Sequence, residues 1–171
     1  MACPQLPKRD CKFSVTREKI NSKSLRIFRH ISRTVSGESL EPALSDIILF
    51  GRTLSFTKNS NDVVGVCCGR PQKMYFADDV NDEELFHWIN FLFVLKEYQG
   101  NNLGKLMLEE MENALWFGSP ANIRVKSATK AVGFFQKIGY SKVGPPIDCW
   151  HSGSALFKTL HVMEKEFVQS E

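Results

Sequence analysis

The apolar and polar positions along the chain change their period several times, and each change predicts an element. Alternation over Cys11 to Thr16 predicts a first strand, behind a loose tail over residues 1–10 that carries two prolines. From Ser22 the spacing becomes helical: Leu25, Phe28, Ile31 and Val35 share one face, and Gly37 supplies a stop. A second, shorter helix is predicted over Pro42 to Leu49, with proline in the first turn, where a missing N–H costs nothing. Thr53 to Thr57 and Val63 to Cys68 read as two strands of a hairpin, joined by the turn formers Lys58-Asn59-Ser60-Asn61-Asp62.

After the acidic stretch Asp78 to Glu84, Leu85 to Leu95 is the longest apolar run and predicts a central strand covered on both faces. Leu103, Leu106, Met107, Met111, Ala114 and Leu115 then recur at helical spacing up to Gly118-Ser119-Pro120, and Asn122 to Lys126 is a further strand. Ala131, Phe134, Phe135 and Ile138 mark one face of another helix that Gly139 ends; strands near Tyr140 to Val143 and Ala155 to Met163 complete the chain. The order β-α-α-β-β-β-α-β-α-β-β predicts a mixed α/β fold, taken as a single domain over residues 11–171.

Composition narrows the function. The 171 residues carry a net charge of +3, with 22 Lys and Arg scattered along the chain, so nucleic-acid binding gains no support. No stretch approaches the ~20 apolar residues needed to span a bilayer, and the N-terminus lacks the apolar run of a secretory signal. Five cysteines, an odd number without a CxxC pair, argue against a zinc site or a disulfide framework and for a reducing compartment. Cys67 and Cys68 are expected on opposite faces of one strand. The expectation is a cytosolic protein, with a nuclear population also compatible.

The most informative segment runs from Leu92-Phe93-Val94 through Lys96-Glu97-Tyr98 to Gln99-Gly100-Asn101-Asn102-Leu103-Gly104-Lys105: a buried strand, a short polar turn, then an amphipathic helix. The first N–H groups of a helix lack internal partners and carry the positive end of its dipole, so this turn can cradle a diphosphate. Glycine at 100 and 104 permits close backbone approach. Asn102 stands where glycine is easiest, yet asparagine tolerates positive φ. The spacing from Gly100 to Gly104 is one residue short of a Walker loop, and GxGxxG is absent. An ordinary polar strand-to-helix turn remains the alternative for the segment taken alone.

These residues resemble the GNAT superfamily of N-acetyltransferases, whose fingerprint [Q/R]-x-x-G-x-[G/A] follows a strand ending L-x-V; Asn102 is the departure. Ala131 to Tyr140 is similar to the family's A-x-x-F-Y-x-K-x-G-F helix, in the same order along the chain. The resemblance covers Asn61 to Val143. It implies a GNAT-like mixed sheet with splayed central strands flanked by helices. It further implies acetyl-CoA as co-substrate: the pantetheine arm against strand backbone near Phe93 and Val94, and the pyrophosphate among Gln99, Gly100, Asn101, Asn102, Leu103, Gly104 and Lys105. Phe134 would line the same cofactor site.

The implied activity is acetyl transfer to a primary amine, on a protein lysine, an N-terminus or a small molecule, by direct attack on the thioester. A lysine-like amine with pKa about 10.4 is neutral to only roughly one part in a thousand near pH 7, so a base or a desolvating site is needed. An ungapped comparison with the histone-acetyltransferase branch puts Trp88 where its glutamate base would fall, which leaves Glu84 and His87 as candidate bases. Phe135 occupies the position of the family's proton-donating tyrosine. A catalytically weak or silent acyl-CoA-binding module is therefore the second reading, and an unrelated α/β protein using the turn for another phosphate ligand is the third.

Overall fold

Alternation and helical spacing resolve into eight strands and three helices among the described residues, which in this computed structural model are 12–54, 63–73 and 82–169. The chain runs β1 (Phe13–Glu18), α1 (Ser22–Ser36), β2 (Ile47–Thr53), β3 (Val63–Arg70), β4 (His87–Val94) and α2 (Leu103–Gly118). It continues through β5 (Ile123–Ala128), α3 (Val132–Lys137), β6 (Ser141–Lys142), β7 (Ile147–Asp148) and β8 (Thr159–Lys165). The strands form one sheet in the order β1-β2-β3-β4-β5-β8-β6, with β7 also paired to β8. Every pairing is antiparallel except β4 with β5.

Helix α1 begins as its sequence dictates. The Asn21 side chain accepts from the Lys23 and Ser24 amides, Ser24 reciprocates to the Asn21 N–H, and Gly37 closes the helix at φ 83. Phe28 and Ile31 of α1 pack with Ile48, Phe50, Val66, Cys68 and Phe93 on one face of the sheet. Helix α2 covers the other face, burying Met107, Met111 and Leu115 with Leu49, Cys67, Ile89 and Val125. The Met107 sulfur lies in a furrow floored by Gly51 and Gly65, where an added Cβ would stand 2.8 Å away from it at either position. Strand β4 is thus covered on both faces, and Cys67 and Cys68 divide between the two cores.

The second predicted helix does not form. Pro42 to Asp46 is a turn, in which Asp46 N–H bonds Ala43 O at 3.0 Å and Asp46 Oδ2 takes the Ala43 N–H at 3.0 Å; Ile47 onward is β2. The run Ile47-Ile48-Leu49-Phe50 is apolar at every position because β2 lies between β1 and β3 and is covered on both faces. A strand runs at Ile47–Thr53, reaching only the first residue of the one expected at Thr53 to Thr57; residues 55–57 of that strand, the expected turn at 58–62, the tail at 1–10 and most of the acidic stretch lie outside the described residues. Ala155 to Phe157 forms a 3-10 turn before β8, and β7 was not anticipated.

The parallel pair β4–β5 sets the shape of the site. Only His87↔Ile123, Trp88↔Arg124 and Ile89↔Val125 are in register; beyond Ile89 the two strands separate. A bulge accompanies the parting: Gly69 faces Ile89 and Cys68 faces Phe91, so Asn90 is the extra residue.

A candidate cofactor cleft at the parting of β4 and β5

The turn after β4 closes as asparagine permits. Gly100 has φ 78, and Asn102, with φ 63, is the sole non-glycine residue at positive φ among those described. The Gln99 amide donates to Val94 O at 2.9 Å, and the Asn101 amide to Tyr98 O at 3.3 Å, which hold the turn against the end of β4. Leu106 is the first residue of α2 whose N–H is bonded within the helix frame, to Asn102 O at 3.0 Å. The amides of Leu103, Gly104 and Lys105 make no hydrogen bond to any described residue. At the positive end of a 16-residue helix, Gly104 and Lys105 therefore border the cleft with unbonded amides, while Leu103 is buried beside them.

That cleft measures about 600 Å³ and is lined by Leu92, Val94, Gln99, Gly100, Asn102, Gly104, Lys105, Ala131, Phe134, Phe135, Lys137 and Ile138. An added Cβ on Gly104 would stand 3.5 Å from the Phe134 ring, so the helix start and the α3 aromatic face each other across a narrow mouth. The Lys105 ammonium lies 3.7 Å from Glu109, with both side chains about half exposed, a weak pair that a stronger anion can displace.

Backbone direction separates the two predicted strand contacts. Leu95 N–H bonds Val64 O at 2.9 Å, which turns Leu95 and, by alternation, Phe93 toward β3. The peptide groups of Leu92 and Val94 face the gap instead. Phe93 is thus bonded to β3 through its backbone and packed in the α1-side core through its ring, and it borders the gap between β4 and β5, while Leu92 and Val94 line the cleft itself. Ala131 and Lys137, both in the second motif, also line the cleft.

Glu84 and His87 lie at the other end of β4 from this turn, about 23 Å along the strand for His87 relative to Val94. The His87 ring is fully buried; Nδ1 accepts the Gln72 N–H at 2.8 Å, and Nε2 lies 2.8 Å from Ser119 O, which requires an Nε2–H donor. Burial pushes its pKa below the ordinary histidine value, partly opposed by the bond to Ser119. With both nitrogens committed, His87 ties β4 to the end of α2 and has no lone pair to offer a substrate. Glu84 Oε1 is 3.1 Å from Lys73 Nζ in the 3-10 turn before β4. Trp88 is buried, donates through Nε1 to Glu83 O at 2.7 Å, and carries Lys126 over its ring at 5.2 Å. Phe135 packs edge-on against Phe134 and Tyr140.

Tyr140 is not a proton donor for this cleft either. Its hydroxyl donates to Glu112 Oε1 at 2.8 Å in the core, and Lys165 Nζ holds Glu112 Oε2 at 2.8 Å. Burial, with the Glu112 carboxylate alongside, pushes the Tyr140 pKa far up.

Comparison of the sequence with curated proteins gives no match. Solved structures share the architecture at low identity. Arabidopsis thaliana Naa50, in complex with the bisubstrate analogue CoA-Ac-MVNAL, superposes with a TM-score of 0.63 at 18% identity, over 90% of this chain and 99% of that one. The ribosomal-protein-S18-alanine N-acetyltransferase of Escherichia coli gives 0.64 at 11% identity, over 92% and 97%. Residues 76–149, which span β4, the turn, α2, β5 and α3, match the acetyltransferase (GNAT) domain family. The chain has the GNAT fold, with a mixed sheet parted between β4 and β5, and it is residues 76–149 that match the acetyltransferase (GNAT) domain family.

Proposed function

We propose that this protein is an acetyl-CoA-dependent N-acetyltransferase that moves acetyl to a primary amine in a ternary complex. The observation that carries the proposal is the pair of unbonded amides at Gly104 and Lys105, bordering a cleft that continues into the gap between β4 and β5. A diphosphate fits these donors because each can donate a charge-assisted bond at the helix N-terminus without displacing an internal one. Lys105 and Lys137 add positive charge at the cleft wall. The peptide groups of Leu92 and Val94 would receive an extended pantetheine arm as a further strand does, and Ala131, Phe134, Phe135 and Ile138 would exclude water along it.

When bound, acetyl-CoA supplies the thioester carbonyl that an amine attacks. This chain's residues would hold that carbonyl where the strands part. Neither Trp88 nor Phe135 can exchange a proton there. Among the described residues, the amine's entry therefore depends on desolvation in the gap or on a group outside the family's usual positions.

The test is incubation with acetyl-CoA and a panel of primary amines, following thiol release from pH 6 to 9. Release that depends on both substrates is expected. Stabilisation by CoA with no release for any amine would select the silent binding module instead, and stabilisation by ATP or NADPH in preference to CoA would remove the reading altogether.

A further inference from the structure

The strands that part beyond Ile89 and Val125 leave a second cavity, of about 360 Å³, behind the cofactor cleft. It shares Leu92, Val94, Gln99, Ala131 and Phe135 with that cleft and ends at Val35 and Phe157, which pack with the α1-side core. Whatever fills the cleft is met from the α1 side through this mouth.

The walls of the mouth are aromatic. Phe91 stacks on Phe93 at 5.9 Å, and Phe157 meets Phe93 edge-on at 6.4 Å. The segment before Phe157 is tied to the end of α1: Glu38 Oε1 accepts from Ser152 Oγ at 2.9 Å and from Ser154 N–H at 2.8 Å, and Ser154 Oγ donates to Ser36 O at 2.7 Å.

Against those walls the charge is of one sign. Among the described residues, Lys126 and Lys130 are the charged lining of the cavity, and no carboxylate faces them there. Strand β5 turns Ile123 and Val125 into the α2-side core, so by alternation Lys126 falls on the α1 side; Lys130 follows in the 3-10 turn Thr129–Ala131. The Lys126 ammonium lies over the Trp88 ring at 5.2 Å and 3.5 Å from Glu83 Oε1, an ion pair between half-exposed side chains that another carboxylate can join or displace. Lys130 makes no ion pair with any described residue. An adjoining pocket of about 180 Å³ shares Asn90 and Lys126 and adds Arg70, likewise without an ion pair among the described residues, with Glu83 as its carboxylate. Three cations thus stand around the mouth with one carboxylate, and neither lysine lines the cofactor cleft. Like charges on low-dielectric walls focus a positive field, which draws an anion inward and repels a bare ammonium.

We propose that Lys126 and Lys130 form an anion subsite that takes a carboxylate carried by the acceptor, away from the atom that is acetylated. The inference rests on the transferase reading and names what selects the acceptor. Both lysines are positioning residues: they hold the acceptor by its charge and take no part in acyl transfer. Arg70, in the adjoining pocket, meets a second carboxylate of the same molecule.

The test is a titration that needs neither acetyl-CoA nor turnover. The backbone amides of residues 126–130 and the Trp88 indole N–H are followed by ¹⁵N NMR at low ionic strength as glutarate or Ala-Glu-Glu-Ala-amide is added, with glutaramide and Ala-Gln-Gln-Ala-amide as controls. Saturable shifts with the two acidic probes and none with the controls are expected. Affinity should fall about two- to fivefold in Lys126→Gln or Lys130→Gln and about tenfold in the double variant, and stay within about twofold of wild type in Lys130→Arg. Both side chains are exposed, so the substitutions leave the core intact. No saturable shift at residues 126–130, shifts confined to residues 103–105, or a double variant that binds within about twofold of wild type overturns the proposal. Tighter binding of the peptide than of glutarate assigns the carboxylate to a polypeptide acceptor, and the reverse order to a small molecule. In the thiol-release assay, Ala-Glu-Glu-Ala-amide should show a KM at least about fivefold below that of Ala-Gln-Gln-Ala-amide at similar kcat, a difference lost in the double variant. Saturable binding with no thiol release from any amine spares the subsite and sinks the transferase reading; release with equal KM for the two peptides spares that reading and sinks the proposal.

Discussion

Replacing Gly104 with valine probes the turn at its narrowest point. A Cβ at this position would stand 3.5 and 3.6 Å from the Phe134 ring and 3.9 Å from Val94 Cγ2, which are ordinary contacts, so alanine fits without strain. Glycine within a helix costs roughly 0.5–1 kcal/mol relative to alanine, so Gly104→Ala is expected to raise the unfolding free energy by up to about that amount. Valine adds two methyl groups on the same carbon, between the start of α2 and Phe134, over the amides of residues 103–105. Hydrogen bonds to a charged group contribute about 1.5–3 kcal/mol each, so losing two of them costs about 3–6 kcal/mol. In Kd for CoA that is roughly a hundredfold to ten-thousandfold weakening. Isothermal titration with CoA reads it directly. Thermal unfolding without ligand checks the fold, and the CoA-induced rise in Tm, about 2.7 kcal/mol in stability at a hundred times Kd, should vanish in the variant. A folded Gly104→Val protein binding CoA within about threefold of wild type would refute the placement.

Asn102→Gly should leave stability unchanged or slightly higher, whereas Asn102→Val, forced to φ 63, should lose about 1–2 kcal/mol or more in urea unfolding. For His87 the folded pKa lies below that of the unfolded chain, so the unfolded state binds the extra proton. Stability is then fully present above about pH 6.5 and falls as pH drops from there toward the depressed folded value. Urea midpoints at pH 7.5 and 5.5 should show a drop that is smaller in His87→Gln. Glu84→Gln should leave thiol release within about threefold of wild type, since the carboxylate pairs with Lys73 at the far end of β4. Glu38→Ala removes the acceptor of the Ser152 and Ser154 bonds and should cost about 1–3 kcal/mol, with faster hydrogen exchange confined to the 152–157 segment.

How much of this was legible beforehand depended on whether the deciding partner was close in sequence. Helix α1 carries its own start at Asn21 and its own stop at Gly37, and both read correctly. The turn at Gln99 to Gly104 is equally local, and Asn102 adopts the left-handed conformation its side chain tolerates. Pro42 to Leu49 misled because proline opening an apolar stretch suits a helix, while the two flanking strands that claim Ile47–Thr53 are set by distant pairing. The fate of His87 was unreadable, since Gln72 and Ser119 reach it from 15 and 32 residues away. Asn90 left a trace as the one amide inside the apolar run of β4, a sign of the bulge.

The central claim is that the amides of Gly104 and Lys105 hold a diphosphate. A crystal structure grown with coenzyme A tests it most directly: diphosphate oxygens within about 3.2 Å of these nitrogens, with the pantetheine arm beside Leu92 and Val94, is the expected result. Coenzyme A bound elsewhere on the molecule, with these two amides still unbonded, would contradict it.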